Sequence, residues 1–246
     1  MTNRSTARLW MLRVGILTLA LSDAPAARAG FAFDFGTNPA LPSAPGLAYV
    51  GGSGSVPESS VFSLSGGQLH LDTTGYARDV YAYYEVAGGY SSTMDAQLTT
   101  RVRVGAANQY GTGFAFYDNV VEFSLIVTRT GWFFYGTGVS GTFADPTAFH
   151  AFDLQSFALT NSYTLRVDGV LAASGTRFAG YGGPASVYFG DPTPTGGNTV
   201  ADISYLTYDA RLPTAAQATP VPPTALAASV VGLLAALAGA RRRTWA

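Results

Sequence analysis

From Phe31 onward the chain alternates apolar and polar residues with a period of two, in short runs broken by Gly, Pro, Asn and Asp. Only an extended strand sends successive side chains to opposite faces, so this pattern commits the middle of the chain to β-structure with one face in a core and one in solvent. Met94, Ala96, Leu98, Val102 and Val104 alternate with Asp95, Gln97, Thr99, Arg101 and Arg103. Val121, Phe123, Leu125 and Val127 share one face, and Tyr163, Leu165 and Val167 oppose Thr164, Arg166 and Asp168. Asp118-Asn119 and Asp168-Gly169 fall between such runs and predict hairpin turns at positive φ. The spacing predicts about eleven to thirteen short strands and no amphipathic helix, an all-β sandwich or jelly roll. Residues 30–212 fit one such domain.

The charges are segregated. The two ends hold seven Arg and Asp23, whereas residues 30–212 hold seven Arg against 14 acids, and the chain has no Lys at all. An acidic middle argues against a nucleic-acid partner, whose electrostatic footprint is a basic face. With no Cys there is no disulfide framework, thiolate metal site or Cys nucleophile.

Both ends read as addresses. Arg4, Arg8 and Arg13 precede the apolar run 14–21, and Ala27-Arg28-Ala29 supplies small residues for cleavage before Gly30. This is the order of a secretory signal peptide over residues 1–29. Eight apolar residues are too few to cross a bilayer core of about 30 Å. At the other end, residues 213–223 form a stiff Pro/Ala linker. Residues 224–240 are 17 uncharged residues, the lower limit for a spanning helix, closed by Arg241, Arg242 and Arg243 as the positive-inside bias requires. The tail, residues 224–246 behind Pro220-Val221-Pro222-Pro223, resembles the PEP-CTERM sorting signal of Gram-negative bacteria, in a variant with Val221 where an acidic residue is usual. The resemblance implies secretion machinery and an exosortase-type enzyme as partners. It also implies transient residence in the inner membrane, then release to the cell surface or medium.

A second resemblance lies in the domain. Phe149-His150-Ala151-Phe152-Asp153-Leu154, Tyr163 to Gly169 ending in Val-Asp-Gly, and Ser174-Gly175 resemble the concanavalin A-like (LamG-type) lectin/glucanase fold. Val187-Tyr188-Phe189-Gly190-Asp191 and Ala201 to Tyr208 resemble its penultimate and closing strands. The resemblance implies a jelly-roll sandwich of two antiparallel sheets, here flanked by a signal helix and a C-terminal transmembrane helix. Phe149 stands where Trp is common. These motifs are structural and transfer no activity.

Catalytic chemistry is sparse. Glycosidases need two carboxylates about 5–5.5 Å apart to retain configuration. Glu58, Glu85 and Glu122 do not have the spacing that places a pair on one strand face. Asp118 and Glu122 read as a turn residue and an outward residue, both facing salt or solvent. His70 points outward between Leu69 and Leu71, and His150 shares the Phe152 and Leu154 face as a buried imidazole. Two isolated His do not make a zinc site. The glycine-rich stretch 136–141 matches a dinucleotide fingerprint, but Asp145-Pro146 follows it instead of a helix, so it reads as a loop. Asp191 and Asn198 offer oxygens to Ca²⁺ or act as turn residues; no other cofactor is expected.

The aromatic residues say more. Val80, Ala82, Tyr84 and Val86 read as a core face, Tyr81, Tyr83 and Glu85 as the outer one. Trp132 and Phe134 oppose Phe133 and Tyr135. Alternate residues about 6.6–7 Å apart match the length of a sugar ring. Tyr81, Tyr83 and Glu85, with Tyr135 from a neighbouring strand, are therefore the expected glycan-binding set. The expectation is an exported, non-catalytic surface or matrix protein that binds exopolysaccharide; the alternatives are a polysaccharide hydrolase or lyase, and a purely structural biofilm part.

Overall fold

The computed structural model describes residues 28–37, 40–52, 56–76, 81–107, 110–180, 182–192 and 198–213. The expected leader before Arg28, and the expected linker and tail beyond Pro213 with its arginines, lie outside the described residues, as does Val80. The strands are β1 (Arg28–Asp34), β2 (Ala48–Gly51), β3 (Phe62–Ser65), β4 (Gln68–Asp72), β5 (Ala82–Ala87), β6 (Asp95–Ala107), β7 (Thr112–Tyr117) and β8 (Glu122–Val127). They continue with β9 (Gly131–Phe134), β10 (Ser140–Thr142), β11 (His150–Phe157), β12 (Ser162–Val167), β13 (Val170–Thr176), β14 (Ser186–Asp191) and β15 (Thr199–Arg211). One helical turn, α1 (Glu58–Val61), precedes β3. The fifteen strands among the described residues exceed the expected eleven to thirteen. The surplus comes from edge strands such as β2, β3 and β10, whose three or four residues are too short to display an alternation.

Two antiparallel sheets face each other. One runs β13-β12-β11-β6-β15-β4-β3, with β1 also paired to β15; the other runs β10-β9-β8-β7-β14-β5-β2. β15 spans the first sheet's centre. Its whole length pairs with β6, while its other side is shared by β4 on residues 200–203 and β1 on residues 205–211. Phe152, Leu154, Leu165, Ile203 and Leu206 from one sheet meet Phe114, Phe116, Phe123, Leu125 and Phe189 from the other, all at most 1% exposed. Ring contacts cross the layer, Phe116 to Tyr208 at 5.8 Å and Phe123 to Tyr163 at 5.4 Å. Each such side chain contributes about 1.5–3 kcal/mol of burial, and together they fix which face of every strand points inward.

The two predicted turns differ. Asp168 and Gly169 have φ of 52° and 81°, the positive pair that a two-residue hairpin between β12 and β13 requires. The turn at 118–121 has no positive φ. There Asp118 accepts from the N–H groups of Val120 and Val121, both at 2.8 Å, and from Ser92 N–H at 2.6 Å. A side chain replaces the backbone twist, as in Asx turns. Asp118 is only 8% exposed, so it is a buried loop anchor rather than a solvent-facing acid. The glycine-rich stretch 136–141 is the turn of the β9–β10 hairpin, closed by Phe134 N–H to Val139 O at 2.9 Å.

Candidate functional site

The core face of β5 buries Ala82 and Tyr84, and Tyr83 and Glu85 therefore point outward with Tyr81 ahead of them. The outer face of the seven-stranded sheet can then be followed row by row through its register. One row runs Ala48, Glu85, Tyr188, Ala115 and Ser124, with Tyr135 N–H bonded to Ser124 O at 2.9 Å at its far end. The neighbouring row runs Val50, Tyr83, Gly190, Gly113, Ile126 and Phe133. Pro192 lies over Gly113, 2.7 Å from where a Cβ would stand, so apart from the Tyr83 hydroxyl this second row is apolar.

Four tyrosines form a continuous chain on this face. Ring centroids are 5.9 Å apart for Tyr81 and Tyr83, 5.4 Å for Tyr83 and Tyr188, and 6.0 Å for Tyr188 and Tyr117. A second group collects at the far edge, Tyr110 lying 6.2 Å from Phe133 and 6.3 Å from Tyr135. Tyr135 belongs to this second group. Three strands, β8, β7 and β14, separate it from β5, so it is not on a strand neighbouring Tyr83. Sequence spacing could not place it, because strand order is set by long-range pairing. Tyr117 and Tyr188, the rings that fill the gap, were legible only as outward members of their own alternations.

Polar groups thread between the rings. Ser186 Oγ donates to Glu85 Oε1 at 2.5 Å and Ser124 Oγ donates to Glu122 Oε1 at 2.8 Å. Ser124 also meets the Tyr188 hydroxyl at 3.3 Å. Burial first, and then the nearby carboxylates, push the phenols of Tyr83, Tyr117 and Tyr188 above the ordinary tyrosine value. They stay protonated as hydrogen-bond donors throughout the neutral range. Glu122 and Tyr135 also line a hollow with Thr137, Phe178 and Gly180.

Glu85 and Glu122 share this face but lie on β5 and β8, three strand steps apart. That is about 14 Å between strands, beyond the roughly 6.5–9.5 Å of an inverting pair of carboxylates. Glu58 is elsewhere, holding the inward Tyr84 hydroxyl at 2.7 Å and the Ser43 hydroxyl at 2.8 Å.

The histidines serve the other sheet. His70 Nδ1 meets Asp202 Oδ1 at 2.7 Å on the outer face, and Arg103 donates to Asp202 Oδ2 at 2.7 Å. Burial opposes the charge on Asp202, but these two bonds outweigh it and hold its carboxyl below the usual range. His150, 8% exposed, stacks on Phe143 with centroids 3.8 Å apart. Its Nε2–H donates to Asp145 O at 2.8 Å and its Nδ1 meets Asp168 Oδ2 at 2.7 Å. Both imidazoles are structural ties.

Asp191 is fully buried and accepts from the Thr73 hydroxyl at 2.7 Å. Asn198 donates to Tyr76 O at 3.1 Å, while its Oδ1 is buried without a hydrogen bond. Calcium takes six to eight oxygens. Among the described residues no three metal-ligating side chains of the His, Cys, Asp or Glu kind converge. Two oxygen-bearing side chains do not by themselves compose such a set. Also among the described residues, no helix is long and apolar enough to cross a membrane. Pro220, Val221, Pro222, Pro223 and Arg241 to Arg243, like Ala27, lie outside them. Ala29 lies in β1 opposite Ala210.

No protein-family model and no curated protein matches the chain. Among solved structures, peanut lectin with a nine-residue peptide is similar at a TM-score of 0.51 and 10% identity, over 77% of this chain and 100% of that one. An endo-1,3-beta-glucanase from Streptomyces sioyaensis follows at 0.49 and 14%, over 78% and 99%; the lectin-like defense protein arcelin-5 from Phaseolus vulgaris gives 0.49 and 13%, over 76% and 99%. At such identities the likeness is one of fold: the sandwich is a concanavalin A-like jelly roll.

Proposed function

We propose that this chain is an exported, non-catalytic surface or extracellular protein whose sandwich binds a polysaccharide along the outer face of the seven-stranded sheet. The observation that carries the reading is the chain of four outward tyrosines, Tyr81, Tyr83, Tyr188 and Tyr117, flanked by Glu85 and Glu122. Tyrosines give large contact area with few torsions to freeze and keep a hydroxyl for polar partners. Carboxylates accept from sugar hydroxyls. The wide separation of the two glutamates supports binding over hydrolysis.

Export rests on the N-terminal signal pattern and the PEP-CTERM-like tail, with an exosortase-type enzyme as the processing partner. The inner membrane is then a transient station before the surface. Calcium is not required by this reading.

The test is to screen the exported protein against a glycan array and a panel of polysaccharide-degradation assays. Retention on one or more glycans without turnover is the expected result. Turnover abolished by Glu85→Gln or Glu122→Gln would make it a hydrolase or lyase. No affinity for any glycan would leave a purely structural surface component.

A further inference from the structure

The expected cleavage point lies inside a β-ladder. β1 pairs with the end of β15 over its whole length, Arg28 opposite Arg211, Ala29 opposite Ala210 and Gly30 opposite Asp209. The approach at Gly30 is close: a Cβ there would stand 2.6 Å from Tyr208 O and 3.5 Å from Asp209 Oδ1. The Asp209 carboxylate thus lies beside the residue that would begin the mature chain. The Gly30 nitrogen is about 2.5 Å from that Cβ position, which puts it within about 6 Å of the same oxygen. Among the described side chains, polar groups near it on this outer face include Gln97 opposite on β6, Thr207 two residues back on β15, and Asp95 and Arg211 one pair further along.

In the uncut chain the Gly30 nitrogen is a neutral amide. Hydrolysis of the Ala29–Gly30 bond adds water, the hydroxyl to the Ala29 carbonyl carbon and the proton to the Gly30 nitrogen. Near neutral pH this leaves a carboxylate on Ala29 and an ammonium on Gly30. A positive charge with three donors then appears opposite an acid. Because the sequence has no Lys, that α-amino group is also the single primary amine of the processed protein.

We propose that leader removal creates an ion pair between the Gly30 α-ammonium and Asp209, which seals the start of β1 onto the end of β15. The proposal rests on the export reading above. It gives the cleavage position a structural purpose: one residue earlier or later, the new charge would face Ala210 or Tyr208 instead.

The absence of Lys makes the test direct. The full-length gene is expressed in an export-competent Gram-negative host, and the processed protein is isolated and sequenced from its N-terminus. It is then treated with an acetyl N-hydroxysuccinimide ester at pH 7.5, and the single acetyl adduct is followed by intact mass. Acylation needs the neutral amine, whose ordinary pKa is about 7.7–8.0, and each unit of elevation is tenfold in rate. Wild type should react about three- to tenfold more slowly than Asp209→Asn, and Asp209→Glu should stay slow. A start at Gly30 with equal rates for wild type and Asp209→Asn would overturn the pair and leave export standing. An intact Met1, or a start elsewhere, would remove the cleavage itself and the proposal with it.

Discussion

Tyr83 and Tyr188 pack ring to ring, centroids 5.4 Å apart and planes tilted by 49°, although their strands are far apart in the chain. The register puts Gly190, not Tyr188, directly opposite Tyr83, so the two rings meet on a diagonal. A glycine in the direct position leaves the room for that diagonal contact. It is what joins the β5 tyrosines to the centre of the sheet.

Replacing Tyr81 and Tyr83 together by Ala should therefore separate binding from folding. Each half-buried aromatic pair contributes about 0.5–1.5 kcal/mol, so the domain stays folded with a modest loss of stability. Affinity for a retained glycan should fall about tenfold or more, which corresponds to 1.4 kcal/mol. Affinity electrophoresis and thermal melts read both. Tyr84→Ala is the contrast: its ring is fully buried, and such truncations cost about 3–5 kcal/mol. If the double variant unfolds like Tyr84→Ala, the outward face has been misassigned.

The two histidines should behave unequally. His150→Phe keeps the stack on Phe143 but loses the bonds to Asp145 O and Asp168. Bonds to charged groups are worth about 1.5–3 kcal/mol. The expected drop in melting temperature is about 4–10 °C. His70 has a 36% exposed side chain, and His70→Ala should cost less than about 1 kcal/mol, as surface ion pairs do. Equal losses would mean that the burial of His150 contributes nothing.

The inward and outward faces were legible in the sequence because each strand states its own alternation. Ala96, Leu98, Phe123, Leu125, Tyr163 and Leu165 are all buried as the pattern requires. The Val-Asp-Gly hairpin was legible because its positive φ is a local property of Asp168 and Gly169. The order of strands was not, since nothing local in β5 says that β14 pairs with it or that β9 lies four places away. Tyr135 was misplaced for that reason. Asp118 was misread for another: a buried carboxylate bonded to three backbone N–H groups has the same sequence signature as an exposed turn acid.

Three aspartates make the fold acid-sensitive. Burial opposes the charge on Asp118, Asp168 and Asp202, but backbone N–H groups at the first, His150 and Ala151 N–H at the second, and His70 and Arg103 at the third overcome it. All three carboxyls are held below their ordinary value. A depressed carboxyl stabilises fully above its unfolded pKa, about 3.9, and loses that contribution as pH falls through the folded value. Melting temperature should be insensitive to these groups from pH 7 to about 5, then fall below about pH 4. Asp118→Asn should flatten part of the acid limb and lower stability at pH 7. An acid limb unchanged in that variant would exclude Asp118 from the effect.

Docking of β1 should also close the leader to proteolysis. Arg28, Ala29 and Gly30 are paired to Arg211, Ala210 and Asp209, and a paired strand is cut only when it opens. Precursor folded in detergent micelles should resist a purified leader peptidase, whereas the same chain in urea concentrations that unfold the sandwich but spare the enzyme should be cleaved. Under the proposed export, the order in the cell then has a physical basis: the leader would be removed from the unfolded chain, and β1 would pair afterwards. Rapid cleavage of the fully folded wild-type precursor would show that the first residues of β1 open freely.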